Sequence, residues 1–198
     1  MSERPLRGKR VVTTRDERGE VDRLLEEQGA TVVHMPLIQI VDAADGGVEL
    51  QDQLRRVAVF DWVIVTSKHG AERVGKAVRG LPVRLAAVGT KTAAELEALA
   101  RRPVDVVPDL QTGAGLLAAM APDGTGQRVL LPQADRAGTE LADGLRERGY
   151  DVTAVIAYRT ALRRPTAPEL RAALTADAVA FASGSAVQAW VDAIGFRT

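Results

Sequence analysis

One pattern of residues occurs twice in this chain, in the same order, and such a duplication points to two related halves. Gly8-Lys-Arg-Val-Val, a helical segment, Gly29 and Thr31-Val-Val are echoed by Gly126-Gln-Arg-Val-Leu, a helical segment, Gly149 and Asp151-Val-Thr. A second pair follows. Asp61-Trp-Val-Ile-Val-Thr-Ser67 is matched by Asp177-Ala-Val-Ala-Phe-Ala-Ser183, and each runs straight into a helical segment. After Ser67 the first copy continues through a helix, the strand Arg84–Val88, the turn Gly89-Thr-Lys-Thr92, another helix and the strand Val104–Val107. After Ser183 the second copy has one helix. The repeat therefore predicts a further strand, Gly-x-x-Thr turn, helix and strand beyond Thr198, and the terminal half is expected to be incomplete in this chain.

Short β-branched runs alternate with charged helical segments throughout, the signature of βαβ units and a parallel sheet, so the class is α/β. The expected strands are Arg10–Thr14, Thr31–Met35, Trp62–Thr66, Arg84–Val88, Val104–Val107, Arg128–Leu131, Val152–Ile156 and Ala178–Ala182. In the helix Gly19–Gln28, Val21, Leu24, Leu25 and Gln28 fall at helical spacing, and Gly29 suits the left-handed stop. Thr139–Arg148 repeats the design, with Leu141 and Leu145 facing the sheet and Gly149 as its stop. Pro36-Leu-Ile-Gln-Ile-Val41 and Val155-Ile-Ala-Tyr-Arg-Thr160 read as extended, with Pro36 and Pro165 opposing helix. They are expected to be paired strands linking two lobes. One lobe comprises residues 42–154, the other residues 1–36 and 164–198, and residues 37–41 and 155–163 form the linker.

Composition narrows the function. Hydrophobic residues make up 46% and charged residues 26% of the chain, enough apolar material for a real core. Lys plus Arg and Asp plus Glu number 26 each, so no whole-molecule field draws the protein to nucleic acid or anionic lipid. An anion must be held by local groups. The absence of cysteine removes disulfides, thiolate nucleophiles and sulfur-ligated metals, and fits a reducing compartment. No run approaches the ~18 apolar residues of a membrane helix, and the start shows no signal peptide, so a cytoplasmic protein without membrane or nucleic-acid partners is expected.

In doubly wound sheets, ligands bind beyond the carboxyl ends of the strands, where free N–H groups converge at helix starts. Hydroxyls gather there: Thr14 beside Arg15, Thr66 and Ser67, Thr90 and Thr92, Thr112, and Ser183 with Ser185. Each alone reads as a helix cap, because Ser and Thr accept such N–H groups in any protein. Together they suit a cleft that grips carboxylates without net positive charge. Arg15 and Arg136 follow matching strands, and either can fork onto a carboxylate or lie solvated. Tyr158, in the second extended segment, offers a phenol as proton or hydrogen-bond donor, or packs against the hinge. His34 and His69 have no spaced ligand partners, so no metal is expected. Ser67 and His69, two apart, point to different helix faces and do not form a hydrolase triad. The glycine-rich runs at 112–115 and 123–126 match neither nucleotide-binding pattern.

The chain resembles the uroporphyrinogen-III synthase family in motif order from Arg10 to about Ile194. The carriers are Val12-Thr-Thr-Arg15, Asp61 to Ser67, Ala87-Val-Gly-Thr-Lys-Thr-Ala93, Thr112-Gly-Ala-Gly-Leu-Leu117, Arg128-Val-Leu-Leu-Pro132, Leu145-Arg-Glu-Arg-Gly149, Ala157-Tyr-Arg-Thr160 and Asp177 to Ser183. The resemblance implies two flavodoxin-like lobes joined by a two-stranded linker. It also implies closure of hydroxymethylbilane, a linear tetrapyrrole polycarboxylate, to uroporphyrinogen III, with loss of water and inversion of the last ring and no cofactor. By the family's motifs Tyr158 matches the tyrosine that assists departure of the hydroxyl, and Ser67, Thr92 and Ser183 match positions lining the cleft. A monomeric lyase is expected. The rival expectation is a non-catalytic tetrapyrrole- or anion-sensing domain of a regulator on the same scaffold.

Overall fold

A computed structural model describes residues 4–194. The described strands are β1 (Arg10–Thr13), β2 (Thr31–His34), β3 (Ile38–Asp42), β4 (Trp62–Val65), β5 (Arg84–Ala87), β6 (Arg128–Ala134), β7 (Asp151–Leu162) and β8 (Ala178–Ala180). The helices are α1 (Glu20–Glu27), α2 (Val48–Arg55), α3 (Lys68–Val74), α4 (Thr90–Ala100), α5 (Gly113–Ala119), α6 (Glu140–Glu147), α7 (Ala167–Ala173) and α8 (Gly184–Ile194). The class is α/β with parallel sheets, as the alternation of strands and helices implies. The chain divides into two compact units, Met1–Ile40 with Thr160–Thr198, and Val41–Arg159, so the divisions fall inside β3 and β7.

The sheet that serves the central unit runs β3-β7-β6-β4-β5, and β7, β6, β4 and β5 are parallel. The inner strand β4 is buried on both faces, which is why it reads Trp-Val-Ile-Val without a polar break. Trp62, Ile64, Val129 and Leu131 face α5 and α6, where Leu116, Met120, Ala142 and Leu145 complete one core layer. Val63, Val65, Leu85 and Leu130 alternate to the opposite face, and α3 packs on β4 and β6, α4 on β5. At the amino end, the Arg84 guanidinium lies 4.2 Å above the Trp62 ring, whose Nε1 donates to Gln127 at 2.9 Å.

The terminal unit carries a three-stranded parallel sheet ordered β2-β1-β8. Its core is small: Val12, Met35, Leu37, Ala173 and Ala189, with Val33, Leu170, Val179 and Trp190 packed around them. Glycine ends α1 and α6 in the same way. Gly29 and Gly149 adopt φ of 93° and 85°, conformations closed to most side chains, and at Gly29 a Cβ would approach the Arg7 backbone to 3.1 Å.

Three local expectations are corrected. Val104–Val107 is not a strand; it makes one isolated bridge, Val106 with Ala86. Pro103 and Pro108 bracket it, and the Asp105 carboxylate takes the Leu85 N–H at 2.7 Å. On α1 the most buried residue is Asp22, while Val21 and Leu24 are exposed. The third concerns the strand expected at Val152–Ile156 and the extended segment after it: they are one continuous twelve-residue strand, β7.

Candidate active site

The carboxyl ends of β4, β5 and β6 all open onto one edge of the central unit, because parallel strands put every strand-to-helix turn on the same side. A pocket of about 470 Å³ lies there, lined among others by Thr66, Val88, Ala114, Leu117, Gln133 and Leu141. Its wall is mixed, apolar side chains beside helix starts. Thr112 caps α5, its hydroxyl accepting the Gly115 N–H at 3.0 Å. The Gln111 side chain accepts the Thr90 N–H at 3.1 Å at the start of α4. Thr92 lies buried in the first turn of that helix. Arg136 stands exposed on the turn after β6.

Tyr158 reaches this edge through a bulge. Pro132 pairs with Val155 and Gln133 with Ile156, but Ala134 pairs with Tyr158, so Ala157 is an extra residue in β7. Regular alternation from Val155 would send Tyr158 to the α5 side; the extra residue returns it to the α3 side. There it is 7% exposed. Its hydroxyl donates to the Ser67 Oγ at 2.9 Å, and the same Oγ accepts the Gly70 N–H at 3.0 Å as the cap of α3. The next turns of α3 close around the ring. His69 meets it edge-on, centroids 5.6 Å apart and planes at 70°, and the Arg73 guanidinium carbon sits 5.2 Å from its centre.

Charge in this cluster is partly internally balanced. His69 Nδ1 lies 3.0 Å from one Glu72 oxygen and Lys68 Nζ 3.3 Å from the other. Burial pushes the Glu72 carboxyl up, but the hydrogen bonds from His69 and Lys68 together outweigh it and hold it below the ordinary glutamate range. Arg73 reaches Asp42 at 3.4 Å, and Asp42 is 75% exposed in its side chain, so water screens that pair.

The remaining candidates belong to the terminal unit. Thr14 is fully buried and donates to the Ala180 carbonyl at 3.3 Å, so its hydroxyl ties β1 to β8. Arg15 is exposed, and His34 Nε2 lies 2.9 Å from its carbonyl oxygen. Ser183 caps α8, accepting the Ala186 N–H at 3.3 Å. The side chain of Ser185 and everything after Ile194 fall outside the described residues.

Of the residues singled out in the sequence, the structure joins Tyr158 and Ser67 directly. Sequence reasoning treats His69 only as a ligand or triad member, and it misses Arg73. The available signal was their spacing: positions 69 and 73 share one helical stripe starting from the Ser67 cap. No group of three or more His, Asp or Glu side chains among the described residues is placed to hold a metal. No helix among them is long and apolar enough to cross a membrane.

Parallel sheets with helix caps, a pocket and a phenol at the carboxyl edge define the doubly wound α/β class of protein, in which that edge is the general place for a ligand site. Residues 19–197 match the family model described as uroporphyrinogen-III synthase HemD. The chain belongs to the uroporphyrinogen-III synthase family. It is 33% identical over 196 residues to the uroporphyrinogen-III synthase, chloroplastic, of rice (Oryza sativa subsp. japonica), covering 92% of this chain and 64% of that one. The chain thus spans under two thirds of that relative's length. A crystal structure of a mutant uroporphyrinogen III synthase from the extremely thermophilic bacterium Thermus thermophilus is 25% identical with a TM-score of 0.59, over 94% of this chain and 77% of the other. Uroporphyrinogen-III synthetase from Helicobacter pylori, 18% identical with a TM-score of 0.62 over 96% and 80%, shares the fold.

Proposed function

We propose that this protein is a uroporphyrinogen-III synthase, closing hydroxymethylbilane to uroporphyrinogen III with loss of water and inversion of the last ring. The observation that carries the reading, within a family of that name, is the Tyr158 phenol held 2.9 Å from Ser67 at the carboxyl edge of the central sheet.

The substrate's pyrroles are electron-rich, so its hydroxyl leaves readily once protonated. Tyr158 supplies that proton as general acid. The carbon–oxygen bond breaks, both electrons go with the oxygen, and the pyrrole nitrogen's lone pair stabilises the cation left behind. Ser67 then rotates its own O–H toward the phenolate while its oxygen still caps α3. Ring closure displaces a hydrogen from the terminal pyrrole as a proton, which restores the phenol, so the net loss is one water. Isomer choice is a matter of orientation: carboxylate arms held at several points present the substituted carbon to the cation first. That carbon's original methylene bond then breaks, which regenerates a pyrrole-stabilised cation, and this cation closes on the unsubstituted carbon, whose hydrogen is the proton lost. On the central unit the proposed anchors are the helix start capped by Thr112, the buried turn at Thr92 and the exposed Arg136; on the terminal unit they are the Ser183 cap and the exposed Arg15, with Thr14 fixing the turn that carries it.

Incubation with hydroxymethylbilane followed by chromatography of the oxidised products tests the reading. The expected product is mainly isomer III, and Tyr158→Phe should cut kcat by roughly 10²-fold with a small change in KM. Isomer I alone, at the spontaneous rate, would overturn the assignment.

A further inference from the structure

Tyr158 is bracketed on two sides by α3, and the two sides are not equivalent. Its oxygen is fixed by Ser67, an uncharged partner, while its face carries the only cation seen over the ring among the described residues, Arg73. From α3, His69 and Arg73 contact the ring, and Glu72 and, through it, Lys68 are the charged groups linked to His69. Those nearby from the strands are Asp42 on β3 and Arg159 on β7, whose Nε donates to the Asp42 carbonyl at 3.1 Å. Glu72 is engaged by His69 and Lys68. The carboxylate of Asp42, the counter-ion of Arg73, is largely in water. Water screens that pair, so Asp42 offsets the field of Arg73 at the ring only in part.

We propose that Arg73 is a positioning residue for Tyr158, holding the phenol's plane and favouring the negative charge that develops on it as its proton passes to the departing hydroxyl. This rests on the acid role of Tyr158 proposed above. A cation over an aromatic face attracts the neutral ring modestly and the phenolate far more, because the phenolate spreads its charge into the ring. The interaction is thus stronger in the transition state than in the ground state, and only such a difference raises kcat. The geometry is set by local structure: the Ser67 cap fixes the first turn of α3, the bulge at Ala157 turns Tyr158 toward that helix, and Arg73 lies one turn beyond His69.

The test is a double-mutant cycle in the full chain, with folding checked by thermal unfolding. Arg73→Met should lower kcat about tenfold with KM within about twofold, and Arg73→Lys should recover most of the loss. In a Tyr158→Phe background, Arg73→Met should change kcat by less than about twofold, because no charge then develops on that ring. Equal losses in both backgrounds, or no loss in wild type, would overturn the inference while leaving the synthase reading intact. If wild type makes no isomer III, the synthase reading fails separately. The placement of Arg73 is then decided by ring-labelled tyrosine NMR, simple here because the chain has two tyrosines. Arg73→Met should move the signal assigned through Tyr158→Phe and Arg73→Lys should restore it; an unmoved signal would overturn the placement.

Discussion

The segments β1-α1-β2 and β6-α6-β7 carry the same hydrogen-bond scheme around different core packing. In the terminal unit the Arg10 N–H donates to the Asp177 carboxylate at 2.8 Å and the Asp177 N–H returns to the Arg10 carbonyl at 2.8 Å. In the central unit Arg128 and Asp61 make the same exchange at 2.7 and 2.9 Å. Behind the helices, Ala30 donates to Leu25 at 3.0 Å and Tyr150 to Leu145 at 3.2 Å. Between these shared ends the copies diverge. Thr13 and Asp22 form a buried polar pair, Oγ1 to Oδ1 at 2.7 Å, where the central copy has Leu131 and Ala142 in an apolar layer. The shared part is main-chain accounting, which every strand and helix end must satisfy. The divergent part is packing, which each unit solves with its own chemistry.

The comparison breaks most visibly at the matched leucines. Leu145 is fully buried, so Leu145→Ala should cost the central unit about 3 kcal/mol, whereas Leu25→Ala, at a half-exposed site, should cost about 1 kcal/mol. Each unit has its own tryptophan, Trp62 or Trp190, so denaturant titrations with the other replaced by phenylalanine follow the units separately. Equal losses would mean that the terminal core is as consolidated as the central one.

A smaller effect is expected at the polar pair. Asp22 accepts from Thr13 and, at 2.8 Å, from the Gly19 N–H, and is 2% exposed. Burial pushes its carboxyl up, yet the Thr13 and Gly19 hydrogen bonds, with an electrostatic contribution from nearby His34, hold it below the ordinary aspartate range. Asp22→Ala should cost about 2 kcal/mol, since it leaves a buried hydroxyl without its acceptor. Adding Thr13→Val converts the pair toward its apolar counterpart and should recover about half of that loss in the same titrations. A double variant weaker than Asp22→Ala alone would show that the two copies are not interchangeable at this layer.

These residues also mark where sequence reasoning stops. The repeat, the strands and the glycine stops at Gly29 and Gly149 were legible because they depend on local pattern and backbone conformation. Asp22 was not: a helix period assigns burial to Val21 and Leu24, and the Thr13 hydroxyl, arriving from β1, together with the Gly19 N–H makes a buried carboxylate tolerable. Val104–Val107 has the composition of a strand, and the competing Asp105 side chain becomes visible only once Leu85 is beside it. At the candidate site, Tyr158 and Ser67 were each legible as residue types at strand ends. Their contact, and the Arg73 placement, depend on the one-residue bulge in β7, and no periodicity reports an inserted residue.

The smallest effect expected concerns acid. The terminal unit leans on ionised groups where the central unit leans on hydrocarbon, and Glu169 is the clearest case. Arg163 forks onto it at 2.9 and 3.1 Å while also reaching the Pro36 carbonyl, and the Thr166 N–H and hydroxyl add to the same carboxylate. The Arg163 hydrogen bonds, with those from Thr166, overcome the opposing effect of burial and lower the Glu169 carboxyl from 4.5 to about 2. A carboxyl lowered by folding contributes stability that is fully present above 4.5 and is lost as the pH falls through about 2. With the pair partly open to solvent, that contribution amounts to about 1 kcal/mol. Acid titration should therefore loosen the Trp190 signal before the Trp62 signal, and Glu169→Gln should flatten the terminal unit's response over that window. If both tryptophans report one common transition, or if Glu169→Gln leaves the Trp190 profile unchanged, the contrast between an ionically tied unit and an apolar one fails at its acidic end.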